Sequence, residues 1–135
     1  FASATEVECL SGIAPVTGRS GNSHWVHMRR ACPQFMRQTF HEFAAHSMQK
    51  SEWARVFYES HCRDPKQHHA TVRALAFKWI RILYRCWKDG RPYDEQIHLR
   101  DMQRRNSPLM APFLLTPQLE WKLEAGFNKL SQKKA

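Results

Sequence analysis

The sequence predicts a mainly α-helical fold: a compact helical domain with an N-terminal turn carrying a Ser-Gly motif and a separate C-terminal helix. Three observations carry that expectation. Apolar residues recur at helical spacing from Phe35 to Ala44 and again from Val72 to Trp87. Start and stop signals bracket these runs, with Pro33, Ser51 and Asp64-Pro65 at the starts and Asp89-Gly90 at a stop. With 42% hydrophobic and 12% aromatic residues and only five glycines in 135, the chain suits one domain with a real core rather than a disordered segment.

Taken in order, the chain opens at Phe1 without an initiator methionine, in a stretch that reads as extended or turn. It is expected to be a fragment of a longer protein. Leu10-Ser11-Gly12-Ile13-Ala14-Pro15-Val16 is a short apolar run that hands over to a tight turn, Thr17-Gly18-Arg19-Ser20-Gly21-Asn22-Ser23. Pro33 suits a first helical position, and Phe35, Thr39, Phe40, Phe43 and Ala44 continue a helix to Lys50. Ser51 reads as the N-cap of a short helix with Trp53, Val56, Phe57 and Ser60 on one side. Asp64-Pro65 opens the helix with the clearest pattern. Val72, Leu75, Ala76, Trp79, Leu83, Cys86 and Trp87 share one face, and Lys78, Arg81, Arg85 and Lys88 line the opposite one.

Asp89-Gly90 stops that helix and Pro92 cannot continue it. A further helix is expected from Tyr93 to about Arg105. Residues 106–117 hold three prolines among leucines and a phenylalanine and read as an extended apolar connector. Thr116-Pro117 then starts a last helix with Leu119, Leu123, Phe127 and Leu130 in one stripe, to dock on its own core or on another chain. On this reading residues 1–105 form one domain, and 106–135 a Pro-rich connector and C-terminal helix for assembly.

The formal charge of +9, a pI near 9.8 and eight histidines favour a polyanionic partner. A membrane is the weaker choice. No apolar run approaches a spanning length, and no secretory or lipidation pattern is present, so the cytoplasm is the expected compartment. Cys9, Cys32, Cys62 and Cys86 lack any C-x-x-C pair and read as reduced, packed thiols. A mixed zinc site from Cys32, His61, Cys62 and His69 lacks recognisable ligand spacing. The twelve acidic residues are scattered without a D-x-D or D-x-E cluster, so two-metal phosphodiester hydrolysis by this chain alone is disfavoured. Walker, Rossmann, H-E-x-x-H and nucleophile-elbow patterns are absent.

Nucleophilic chemistry stays open. Ser20 sits on a small-residue turn beside Arg19, with His24, His27, Arg29 and Arg30 following closely. A serine hydroxyl needs a base and a stabiliser of the phosphate charge, and these neighbours are the available helpers. The plainer alternative is a turn serine, and Ser11 and Ser23 are rival nucleophiles. Lys78, Arg81, Arg85 and Lys88 are candidate phosphate contacts, set against an ordinary solvated face. His41 and His46 read as packing histidines, and His68 and His69 as solvated ones.

The order Phe1-x-Ser3, Leu10-Ser11-Gly12-Ile13-Ala14-Pro15 and Ser20-Gly21 resembles the C-terminal serine domain of the DEDD-plus-serine transposases of the insertion-sequence 110/116/902 family, the bridge-RNA-guided recombinases. The resemblance continues through Arg37-Gln38-Thr39-Phe40-His41-Glu42-Phe43-Ala44, Ser51-x-Trp53-Ala54 and Phe57-Tyr58. It extends to Ala70-x-x-Arg73-Ala74-Leu75-Ala76-x-Lys78-Trp79 and ends near Tyr93-Asp94. Where many members carry a Lys-x-Gly-Asn step, this chain has His27-Met28-Arg29-Arg30-Ala31-Cys32-Pro33.

The resemblance implies DNA strand cleavage and exchange, with Ser20 of the Ser20-Gly21 pair as the nucleophile that becomes joined to DNA. It implies no cofactor in this fragment, since the family's Mg2+ belongs to a separate RuvC-like DEDD domain. The implied partners are DNA, a guide RNA and further copies of the protein in a homo-oligomer, with no membrane, in a prokaryotic cytoplasm. The competing expectation is a non-catalytic helical module that binds nucleic acid and assists assembly.

Overall fold

A computed structural model describes residues 1–111 and is mainly helical over that range. The first departure from expectation comes at the N-terminus, where the stretch read as extended forms α1, Ala4–Leu10. Ser3 caps it, its hydroxyl accepting from the backbone N–H of Glu6, and Glu6 in turn accepts from the Ala2 N–H. Ser3-Ala4-Thr5-Glu6 thus has the spacing of a capping box, a local signal that outweighs the β-branched and small residues around it.

The second departure is the Ser-Gly turn, which belongs to an antiparallel hairpin of β1, Val16–Ser20, and β2, Ser23–His27. Helices follow. α2, Gln34–Lys50, starts after Pro33, which occupies the N-cap rather than the first helical position. α3, Glu52–His61, and a 3₁₀ turn, Pro65–Gln67, lead into α4, His68–Asp89. Asp64 caps the 3₁₀ turn by accepting from the Lys66 N–H. Gly90 ends α4 in the left-handed region (φ 61°), where a Cβ is unfavourable.

The chain divides into two compact units, Phe1–Tyr93 and Asp94–Ala135. In the first, α4 is the axis against which α1, α2 and α3 pack. Its core joins Ala44 of α2, Trp53, Ala54 and Phe57 of α3, and Val72, Leu75, Ala76, Trp79 and Ile80 of α4. Polar atoms inside this core are matched: Trp79 donates to Ser47 Oγ (2.8 Å) and Trp53 to the Tyr93 hydroxyl (2.8 Å). The Trp53 and Trp79 rings lie 4.9 Å apart, and Phe43 meets Trp79 edge to face.

Two apolar stripes are shorter than their periodicity suggests. Burial on α4 stops at Ile80: Leu83 and Cys86 are only half-buried, and Trp87 is 63% exposed. On α2 burial runs through Ala44 and Ser47, while Phe35 is 80% exposed.

The second unit contains α5, Glu95–Arg104, capped by Asp94 accepting from Gln96 and Ile97, with Leu99 buried. Of the segment expected as an extended connector, the described residues 106–111 include a 3₁₀ turn at Pro108–Met110 with Met110 buried, and the rest lies outside the described residues. Prolines at a first helical position favour such a turn because their φ is already set. The expected last helix with Leu119, Leu123, Phe127 and Leu130 lies outside the described residues. Among the described residues no helix is long and apolar enough to cross a membrane.

Candidate functional site

The hairpin is built by Gly21 and Asn22. Val16 to Ser20 and Ser23 to His27 are two five-residue runs separated by only these two, a Gly-Asn spacing that favours a tight hairpin. Gly21 has φ 56° while Asn22 stays out of that region, the φ pattern of a type II′ turn with glycine first. Ser20 pairs with Ser23 across the turn, Arg19 with His24, Gly18 with Trp25, Thr17 with Val26 and Val16 with His27. Strand alternation therefore places Arg19 and His24 on one face, and Ser20, Ser23, Trp25 and His27 on the other.

Ser20 stands exposed at the apex, and among the described residues its hydroxyl makes no hydrogen bond. Its two rivals differ. Ser11 has 0% exposure and donates to the Glu8 carbonyl (3.1 Å), so it is a structural hydroxyl. Ser23 is also exposed and lies on the same face as Ser20.

The expected cations divide by what they touch. Arg19, His24 and Arg30 are exposed, and His27 meets the Trp25 ring at an angle, at 6.4 Å between centroids. Arg29 turns inward, its guanidinium 3.9 Å from Cys9 Sγ, and its carbonyl accepts from Arg37 (3.0 Å). It braces the foot of the hairpin on α1. Gly12 (φ 72°) lies so close beneath this foot that a Cβ there would overlap Cys32 Sγ.

On α4, Lys78, Arg81, Arg85 and Lys88 are all exposed and opposite the core, and each has a neighbour. Lys78 lies over the Phe57 ring and Lys88 over Tyr84 and Trp87, which leaves both ammonium groups able to meet phosphate. Arg85 approaches Asp89 (3.6 Å), an exposed pair of little strength. Arg81 is different in kind: its Nε sits 2.7 Å from Oε1 of Glu8, which is only 1% exposed. It neutralises a carboxylate that the α1–α4 contact has removed from water.

Histidines also gather at a second place, where α2, α3 and the start of α4 meet. His41 and His69 rings are 5.6 Å apart, His68 and His69 5.0 Å, and the Tyr58 hydroxyl is 2.7 Å from His68 Nδ1. Burial, then the nearby His69, Arg73 and His68, lowers the pKa of His41. Tyr58 is raised, chiefly by its hydrogen bond with Cys62. The four cysteines are free thiols, and among the described residues no group of three or more His, Cys, Asp or Glu side chains could hold a metal ion.

Two residues of consequence carry no obvious motif. Glu8 gives no sequence sign of being buried. Trp25 was detectable in principle, because a Gly-Asn turn flanked by five-residue runs fixes a register that sets it opposite Gly18.

Residues 1–59 match the family model of the Transposase IS116/IS110/IS902 family. The matched segment takes in α1, the whole hairpin, α2 and most of α3, and so includes Ser20 and Gly21. It supports a transposase-related function and, through it, interaction with DNA. It stops short of α4, so the basic face of that helix lies outside it. No curated protein and no solved structure matches the chain.

Proposed function

We propose that this chain is the serine domain of a DNA transposase, acting with a guide RNA and a separate acidic, Mg2+-binding domain. The observation that supports it best is the placement of Ser20. It is an exposed hydroxyl, bound to no other described residue, at the apex of a hairpin within the transposase-matched segment.

In this reading Ser20 Oγ attacks a backbone phosphorus. A new Oγ–P bond forms, one P–O bond to deoxyribose breaks, the hydroxyl proton passes to a base, and the leaving sugar oxygen takes up a proton. Gly21 supplies the turn that keeps Ser20 at the front with open space beside it. Arg30 and, from the opposite face of the hairpin, Arg19 with His24 beside it contact the flanking DNA backbone, and Lys78, Arg85 and Lys88 hold more distant backbone. Arg81 and Arg29 are assigned to holding the fold.

The test is a denaturing assay for DNA covalently attached to protein, using the full-length protein with its RNA and a labelled target duplex. Wild type is expected to give an adduct that maps to Ser20. Ser20→Ala is expected to abolish it while keeping DNA binding and changing stability by less than about 0.5 kcal/mol. Strand exchange that persists in Ser20→Ala would instead identify a non-catalytic module that binds nucleic acid and assists assembly.

A further inference from the structure

The face of the hairpin that carries Ser20 also carries an aromatic ring that lies outside the helical core. Trp25 sits opposite Gly18, and its indole lies so closely over that glycine that any Cβ there would overlap Nε1 and Cε2. Gly18 is the one half-buried residue of the hairpin, and the indole lies over it. One side of the ring therefore rests on backbone, and Trp25 as a whole remains 40% exposed.

Trp53 and Trp79, by contrast, are buried with their N–H groups satisfied. Along the strand Trp25 lies two residues from Ser23, the partner of Ser20, or about 7 Å at roughly 3.4 Å per residue. A phosphate and a neighbouring base span that distance.

The surroundings select the occupant. Residues 9–41 contain no Asp or Glu, yet hold Arg19, Arg29, Arg30 and Arg37 together with His24, His27 and His41. That composition complements a polyanion and would repel a second copy of itself. The face is also small, about 17 Å long by 10 Å wide. This is far below the ~800 Å² per partner of a stable protein interface. A single nucleobase fits it, and the base must be unpaired, because a base inside a duplex has both faces stacked.

We propose that Trp25 is a stacking platform for an unpaired nucleobase next to the phosphate placed at Ser20. This rests on the reading of the chain as a DNA transposase domain. Trp25 is thereby a positioning residue: it holds the nucleotide while Ser20 performs the chemistry.

The experiment uses the full chain and a short single-stranded oligodeoxythymidylate carrying one 2-aminopurine, with a duplex of the same length beside it. Stacking on the indole quenches the 2-aminopurine. Trp25→Ala is expected to weaken single-strand binding roughly five- to hundredfold and to remove the quench. Duplex affinity and its salt slope should be unchanged, since neither depends on the ring. Trp25→Phe should retain most of the affinity, and Gly18→Val, which displaces the indole without removing it, should mimic Trp25→Ala.

Equal single-strand affinity and quench in wild type and Trp25→Ala would overturn the proposal. So would parallel loss of single-strand and duplex binding, which would mark Trp25 as a structural support of the hairpin. A change of oligomeric state with nucleic-acid binding intact would overturn it in favour of a protein contact. The two readings separate cleanly. An adduct at Ser20 with Trp25→Ala binding unaltered removes the platform alone. Selective loss in Trp25→Ala without any wild-type adduct keeps the platform and removes the nucleophile.

Discussion

The hairpin and the helical body use the same residue types for opposite ends. In the body, Trp53 and Trp79 are buried, hydrogen-bonded and in ring contact with each other. On the hairpin, Trp25 has a glycine beneath it and solvent beyond. Arginine divides the same way, with Arg81 holding a buried carboxylate and Arg19 reaching into water. Stability thus resides in α1 to α4, and the hairpin, which contributes little to the core, is free to carry exposed chemistry. A two-stranded hairpin is marginal by itself, so its shape depends on its turn and on its foot at Arg29, Cys9, Gly12 and Cys32.

That contrast can be broken at three points. Trp53→Ala should cost about 3–5 kcal/mol in urea unfolding, by opening a cavity beside Trp79 and removing the donor to Tyr93. A loss as small as a surface substitution would mean that the body does not hold the stability. Arg81→Met should cost about 2 kcal/mol, because Glu8 stays buried without its cation. Replacing Glu8 by Met as well should recover most of that loss, whereas an unchanged single variant would return Arg81 to the freely available phosphate contacts. Gly21→Ala should cost about 1 kcal/mol, the penalty of a Cβ at φ 56°. Amide exchange should show it as faster opening of Val16 to His27 with α4 unaffected, and equal loss of protection in α4 would show the two regions to be one cooperative unit.

Much of the body was legible from sequence. Ser51, Asp89-Gly90 and the α4 periodicity set element type and boundaries through local geometry, whereas Asp64-Pro65 opens a 3₁₀ turn and α4 itself begins only at His68. The α1 capping box and the Gly-Asn turn were equally local signals, and the extended and simple-turn readings passed over them. How far a stripe is buried was not legible, because Leu83 and Trp87 satisfy the helical period yet are less covered than Val72 to Ile80, and cover depends on elements distant in the chain. At the candidate site, the chain order shows a serine among cations. It does not show which cations are already engaged.

The sequence by itself determined a mainly helical domain of strong positive charge with a serine at a tight glycine turn. Each of those follows from interactions within a few residues, or from a sum over all of them. Only the tertiary structure decided that Glu8 is buried and takes Arg81 out of the basic face, and that Ser11 is inaccessible while Ser20 is not. Burial and pairing join residues far apart in the chain, as Arg81 and Glu8 show, and no local pattern records which partner a charge will meet.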